Sequence, residues 1–183
     1  MLAWSLASAR RCCRGVIAVV PAGQSGRRWE ADHVVDGGSS RSASVRAGLA
    51  AVPPGADIIA VHDAARPLVA DSLWEAVLAA VAGGADAAIP VTSVTDTVKE
   101  VAPDGTLRTL DRRRLVAVQT PQAFRAAILR AAHSGGDEAT DDAALVEALG
   151  GRVERVVGSR RNLKITEPDD LTIAAALLAE DRQ

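Results

Sequence analysis

Apolar residues fall along this chain in short, punctuated runs. Positions 2–9 read as a short helix, and Val16-Ile17-Ala18-Val19-Val20, closed by Pro21, reads as a buried strand. Positions 23–28 form a polar, Gly-containing loop, and positions 33–35 predict a short strand ending at Asp36-Gly37-Gly38. The period then changes. Val45, Leu49 and Val52 share one helical face across 42–52, which Pro53-Pro54-Gly55 ends. Positions 58–61 predict a second strand. Positions 73–81 predict a helix, with Asp71 or Ser72 as N-cap and Gly83-Gly84 at its end. Positions 87–91 predict a third buried strand.

In the second half, two extended runs, 97–101 and 106–110, flank Pro103-Asp104-Gly105, the signature of a hairpin projecting from the sheet. Positions 116–120 predict a strand, 122–132 and 141–149 helices, and 153–157 and 163–165 short strands. Thr166 is placed to cap a last helix with an acidic first turn. Strands alternating with helices predict an α/β fold with a mostly parallel sheet. No repeat or linker interrupts the 183 residues, so a single domain is expected over 1–183, with an arm at about 96–118.

Composition narrows the picture. Hydrophobic residues make up 48% of the chain, yet its aromatics are only Trp4, Trp29, Trp74 and Phe124, so Ala, Val, Leu and Ile must build the core. A net charge of −2 and the lack of aromatic platforms argue against nucleic-acid binding. Cys12 and Cys13 are adjacent and without others, which suits a reducing, cytoplasmic setting and excludes a zinc or disulfide framework. Arg10, Arg11 and Arg14 follow the first apolar run instead of preceding it, the wrong order for a secretory signal. No run is long enough to span a membrane. Against nineteen Arg there are only two Lys, Lys99 and Lys164.

The strongest chemical signal is Val61-His62-Asp63-Ala64-Ala65-Arg66-Pro67, a buried strand ending in a polar cluster. Ligands of α/β sheets bind beyond such strand ends. Asp63 offers a hard oxygen suited to Mg²⁺ beside phosphates, and Arg66 a forked donor for a phosphate. A capping Asp with a surface Arg is the plainer alternative.

This run resembles the metal-binding segment of the 2-C-methyl-D-erythritol 4-phosphate cytidylyltransferases. Gly37-Gly38-Ser39-Ser40-Arg41-Ser42-Ala43-Ser44-Val45 is similar to that family's GG-x-x-R-x-x-SV segment, and Asp96-Thr97-Val98-Lys99 to the opening of its projecting arm. Arg112 lies where the arm's return strand carries an Arg. Thr120-Pro121-Gln122-Ala123-Phe124, Thr140-Asp141-Asp142-Ala143 and Asn162-Leu163-Lys164-Ile165-Thr166 match three further motifs in the family's order.

The resemblance implies a Rossmann-like nucleotidyltransferase and a homodimer through a swapped arm. It implies transfer of CMP from CTP to methylerythritol phosphate with Mg²⁺. By matched position, Gly38, Ser39 and Ser44 face the cytidine, and Asp63 holds the metal and α-phosphate. Lys164 faces the nucleotide phosphate. Arg66, Thr97, Arg112, Thr120 and Thr140 surround the sugar phosphate, with Thr97 and Arg112 arriving from the neighbouring subunit. Asp63, Lys164 and Arg112 are the implied catalytic set.

The opening departs from the family pattern, which begins with a strand, a P-A-A-G-x-G-x-R loop and a later Pro-Lys pair. Pro21-Ala22-Gly23-Gln24-Ser25-Gly26-Arg27-Arg28 looks like that loop, but only 16 positions separate Pro21 from Gly37, and no Lys precedes Lys99. The 16–21 run fits the family's second strand better. The expectation is therefore a chain that begins after the first strand and loop, with an internal deletion that keeps Arg27 and Arg28 as the alternative. Two other functions compete: a non-catalytic remnant able at most to dimerise, and another sugar or cofactor nucleotidyltransferase of the same fold.

The remaining polar residues have plainer readings. His62 is expected to orient its neighbours, because an ionised phosphate needs no general base. His33 and His133 are expected in surface or loop positions. Lys99 is expected as a surface charge of the arm, with Arg113 and Arg114 solvated. Asp141 and Asp142 are expected to charge a helix N-terminus, with Thr140 as its cap.

Overall fold

The computed structural model describes residues 1–180. In chain order the elements are α1 (Leu2–Cys12), β1 (Ile17–Val20), β2 (His33–Asp36), α2 (Arg41–Ala51), β3 (Ile58–Val61), α3 (Asp71–Ala82) and β4 (Ala87–Ser93). The arm follows as β5 (Lys99–Val101), β6 (Leu107–Thr109), a 3₁₀ turn at Arg112–Arg114, and β7 (Val116–Val118). The chain closes with β8 (Gln122–Arg125), α4 (Ala126–Ser134), α5 (Asp142–Ala148), β9 (Val153–Val157) and α6 (Pro168–Glu180).

The α/β class is as expected, but the largest sheet is not mostly parallel. β4 sits at its centre. One edge of β4 takes β9 in parallel, and the other takes β8 and then β7, both antiparallel. β3 joins outside β8, also antiparallel. The reason is the β5–β6 hairpin, which turns the chain back so that β7 and β8 run against β4.

The same return explains a mistaken helix. Residues 122–125 were expected to open a helix. They form β8 instead, with Gln122, Ala123 and Phe124 buried between β3 and β4, and the helix starts only at Ala126. No strand forms at 163–165, where Ile165 N donates to Ala65 O at 2.8 Å. Caps shift too. Asp71 is the first residue of α3 and pairs with Arg11, while Asp141, not Thr140, caps α5 by accepting from Ala144 N. At α6 the carboxylate of Asp170 accepts from Thr166 N and Glu167 N, reversing the expected direction of the Thr166 cap.

Apolar clusters hold these layers together, one of them packing Val77 and Val81 of α3 on Ala88 and Ala123. Phe124, Leu129 and Val146 are fully buried between the main sheet, α4 and α5, where Ile59 and Ile89 join them. Leu6, Val20, Leu73 and Trp74 pack α1 and α3 against β1.

β1 and β2 form a parallel pair that shares no ladder with the main sheet among the described residues. Between β1 and β3 lies an open, largely apolar slot of about 1670 Å³, lined by Ile17, Val19, Ile58, Ala60 and Trp74 among others. Ladder alternation tells which backbone groups face it. Val16 O and Val20 O accept from the β2 side, and Asp57 O accepts from Ala126 on the β8 side. The backbone of Ile17 and Val19, and of Ile58 and Ala60, therefore points into the slot from its two walls.

Candidate active site

The polar ends of β2 and β3 meet the first turn of α2 at one mouth of this slot. Two glycines make that approach possible. A Cβ on Gly38 would stand 2.4 Å from the Ala43 Cβ, and one on Gly37 would stand 2.9 Å from Ser44 Oγ. Ser44 Oγ accepts from Gly38 N at 3.1 Å and donates to Ser40 O at 2.8 Å, while Ser40 caps α2 through Ala43 N. Gly38, Ser39 and Ser44 line the slot beside Asp63, as one group.

Asp63 follows β3 and is the hub. Its Oδ2 lies 2.8 Å from Lys164 Nζ, and its Oδ1 lies 3.9 Å from Arg41 Nε. Burial pushes this carboxyl up, but the Lys164 ammonium, then Arg41 and Arg66, outweigh burial and hold it below the ordinary Asp value. A second, polar cavity of about 310 Å³ opens here, lined by Arg41, Asp63, Arg66, Thr120, Thr140 and Lys164 among others. Asp63 and Arg41 border both cavities.

A directed hydrogen-bond chain fixes the backbone of Asp63. Burial lowers the His62 pKa to about 4, so its imidazole is neutral at pH 7. His62 Nε2 lies 3.1 Å from the Arg66 carbonyl and must donate to it, which leaves Nδ1 as an acceptor. Thr120 Oγ1, 3.1 Å away, donates to Nδ1 and accepts from Asp63 N at 3.0 Å. The Thr120 hydroxyl is thus committed within the protein. His62 thus orients its neighbours through these bonds, and Trp74 packs against it with the ring planes tilted by 51° and 5.1 Å between ring centroids.

Arg66 reaches across to Asn162 O at 2.7 Å through Nη1, and its Nε is buried without a partner among the described residues. Asn162, fully buried, donates to Thr120 O at 2.8 Å. It thereby anchors the segment that carries Lys164 beside β8. Thr97 and Arg112 are not brought to these groups within one chain. Both are exposed on the arm, where Arg112 Nη1 donates to Thr95 O. Lys99 is a surface residue bonded to Thr109, as expected.

The Gly23 loop is occupied elsewhere. Gly23 N and Ser25 N both donate to Asp36 Oδ1 at 3.1 Å, so these amides close the end of β2 and are not free for a phosphate. Three site residues escaped sequence reasoning: Arg41, Asn162 and Asp142. All three lay inside recognised motifs, which was the available signal. His133 corrects its expected surface or loop position, and Asp142, at the helix N-terminus expected of it, is buried: their side chains are 2% and 0% exposed and lie 2.9 Å apart.

A cluster of cations around one carboxylate beyond a strand end suits a phosphate-bearing ligand. Comparison with known proteins agrees with this chemistry. The 2-C-methyl-D-erythritol 4-phosphate cytidylyltransferase family model matches residues 5–180. A 2-C-methyl-D-erythritol 4-phosphate cytidylyltransferase of Streptomyces avermitilis is 48% identical over 157 residues, covering 81% of this chain and 63% of that protein. One of Rhodococcus jostii is 52% identical over 149 residues, covering 80% of this chain and 66% of that protein. The chain thus spans less than two thirds of the length of these relatives. The crystal structure of the enzyme of that name from Thermus thermophilus superposes with a TM-score of 0.87 at 39% identity, over 97% of this chain and 88% of that one. Matched across nearly all of its length by that family's model, this chain belongs to the 2-C-methyl-D-erythritol 4-phosphate cytidylyltransferase family.

Proposed function

We propose that this protein transfers CMP from CTP to 2-C-methyl-D-erythritol 4-phosphate, releasing pyrophosphate, in isoprenoid precursor biosynthesis. The observation that carries the reading is Asp63 held between Lys164 and Arg41 at a polar cavity that Arg66 and Thr140 also line. An oxygen of the sugar phosphate attacks the α-phosphorus of CTP. The new P–O bond forms as the bond to the bridging oxygen breaks, and its electron pair leaves with pyrophosphate. The attacking oxygen is already ionised, so no general base is required. The protein's task is to fix donors and cations around oxygens that gain charge.

In this reading Lys164 faces the nucleotide phosphate, and Gly38, Ser39 and Ser44 face the cytidine. Arg66, Thr120 and Thr140 border the sugar phosphate. Thr97 and Arg112 join them from a partner's arm in a homodimer. What supports the dimer is the arm itself, where Val101 and Leu107 are 68% and 63% exposed as a cross-strand pair. Among the described residues there is no cluster of three metal-ligating side chains. That suits Mg²⁺, which binds through one or two carboxylates together with phosphates and water. Asp63 fits the role: its Oδ1 lies 3.9 Å from Arg41 Nε, beyond hydrogen-bond distance, and its side chain is 21% exposed. When bound there, the ion would neutralise phosphate charge. No helix among the described residues is long and apolar enough to cross a membrane. The two free thiols support a cytoplasmic setting.

The test is pyrophosphate release from CTP and methylerythritol phosphate with Mg²⁺. Release that requires both substrates is expected. A folded chain that releases none would favour the non-catalytic reading.

A further inference from the structure

The electrostatics of the site extend into the core behind Arg41. Asp142, the first residue of α5, is fully buried. Its Oδ2 accepts from Arg41 Nη2 at 2.7 Å, and its Oδ1 lies 2.9 Å from His133 Nε2 on α4. A buried carboxylate persists only when its oxygens are paired, and here both are. The neighbouring residue locks the same two elements. Ser42 Oγ accepts from Ala139 N at 3.2 Å, tying the first turn of α2 to the segment before α5.

The guanidinium of Arg41 therefore has a fixed plane. Nη2 is committed to Asp142, and Nε is aimed at Asp63. Nη1 is buried and has no partner among the described residues. An unsatisfied buried donor is costly, and a planar fork with its Nη1 amino group idle, beside a cavity that Lys164 and Arg66 also line, matches an ionised phosphate oxygen. We infer that Arg41 binds a substrate phosphate, and that Asp142, backed by His133, is the residue that positions it. A lysine would not serve, because a single ammonium on a flexible stem cannot hold Asp142 while presenting a donor in a fixed plane. The inference rests on the reading that the site takes phosphate-bearing substrates. The phosphate belongs either to CTP or to the sugar.

Calorimetric titration with Mg-CTP, and separately with methylerythritol phosphate, distinguishes the two sources. Arg41→Gln should weaken one ligand by roughly 10- to 100-fold and spare the other, and Arg41→Lys should recover little of it. Asp142→Asn should weaken the same ligand by roughly 3- to 10-fold. In the Arg41→Gln background it should add almost nothing, a coupling that a merely structural acid would not produce. Should Asp142→Asn fail to fold, His133→Gln carries the same cycle. Wild-type binding of both ligands by Arg41→Gln, or an undiminished Asp142→Asn effect without Arg41, overturns the inference. Binding that depends on Arg41 without any pyrophosphate release would sink the transfer reading alone. Turnover that ignores Arg41 would sink this inference alone, and a wild-type chain with neither binding nor turnover sinks both.

Discussion

Lys164 Nζ meets Asp63 Oδ2 at 2.8 Å, joining two segments far apart in the chain at the mouth of the polar cavity. The lysine side chain is 46% exposed, so the pair contributes little to stability, about 0–1 kcal/mol. Its effect should fall on chemistry. Lys164→Met is expected to leave the melting temperature nearly unchanged while pyrophosphate release falls about 10²–10³-fold. A large drop in melting temperature with near-normal turnover would make Lys164 a structural residue.

Thr120 should behave in the opposite way. Its hydroxyl accepts from Asp63 N and donates to His62 Nδ1, and the residue is 5% exposed. Thr120→Val removes the hydroxyl and strands both partners, at a cost of about 1–3 kcal/mol. Thr120→Ser should restore most of that. Urea denaturation of the three proteins measures it. Equal stability for Val and Thr would break the directed chain from Arg66 O to Asp63 N.

The exposed arm pair offers a test of assembly. Sedimentation should find a dimer for the wild type, and Val101→Ser with Leu107→Ser should shift it towards monomer without loss of helical signal. A wild-type monomer at micromolar concentration would remove the proposed route by which Thr97 and Arg112 reach a site.

Cys13 provides a readout of the slot between β1 and β3, which it lines. Burial, then the neighbouring Cys12, raises its thiol to about 11. An unperturbed thiol of pKa ~8.5 is about half ionised at pH 8.5, so alkylation of Cys13 at that pH should run about 10²-fold slower. Cys12 is raised as well, mainly by burial. Unfolding in urea should bring both to ordinary rates. Rapid labelling of native Cys13 would mean a more open slot.

Much of the fold was legible because β-branched runs and helical spacing agree with it: β1, β3, β4 and α2 all lie within residues of their expected positions. Gln122-Ala123-Phe124-Arg125 misled because a four-residue strand buried on both sides has no helix-excluding period. Its direction depends on a hairpin whose geometry is tertiary. At the site, Asp63, Arg66, Thr120, Thr140 and Lys164, each drawn from a motif read in the sequence, line one cavity. The Asp142–His133 pair was not legible. Charge at a helix start ordinarily means a solvated first turn, and only packing reveals that α4 and α2 close over it.

The split between the β1–β2 pair and the sheet built on β4 also bears on how the molecule opens. Hydrogen bonds that cross from one group of strands to the other would force both to melt together; no strand ladder does so among the described residues. What couples them is side-chain packing through Leu6, Val20 and Trp74, and a few polar ties such as Ser5 Oγ to Ala64 O. Amide protons of β1 and β2 should therefore exchange with deuterium through a partial opening of lower free energy, while those of β4, paired on both edges, wait for global unfolding. The rim of the site formed by Gly37 and Gly38 belongs to the first group and Asp63 to the second, so the two walls of the site would loosen at different rates.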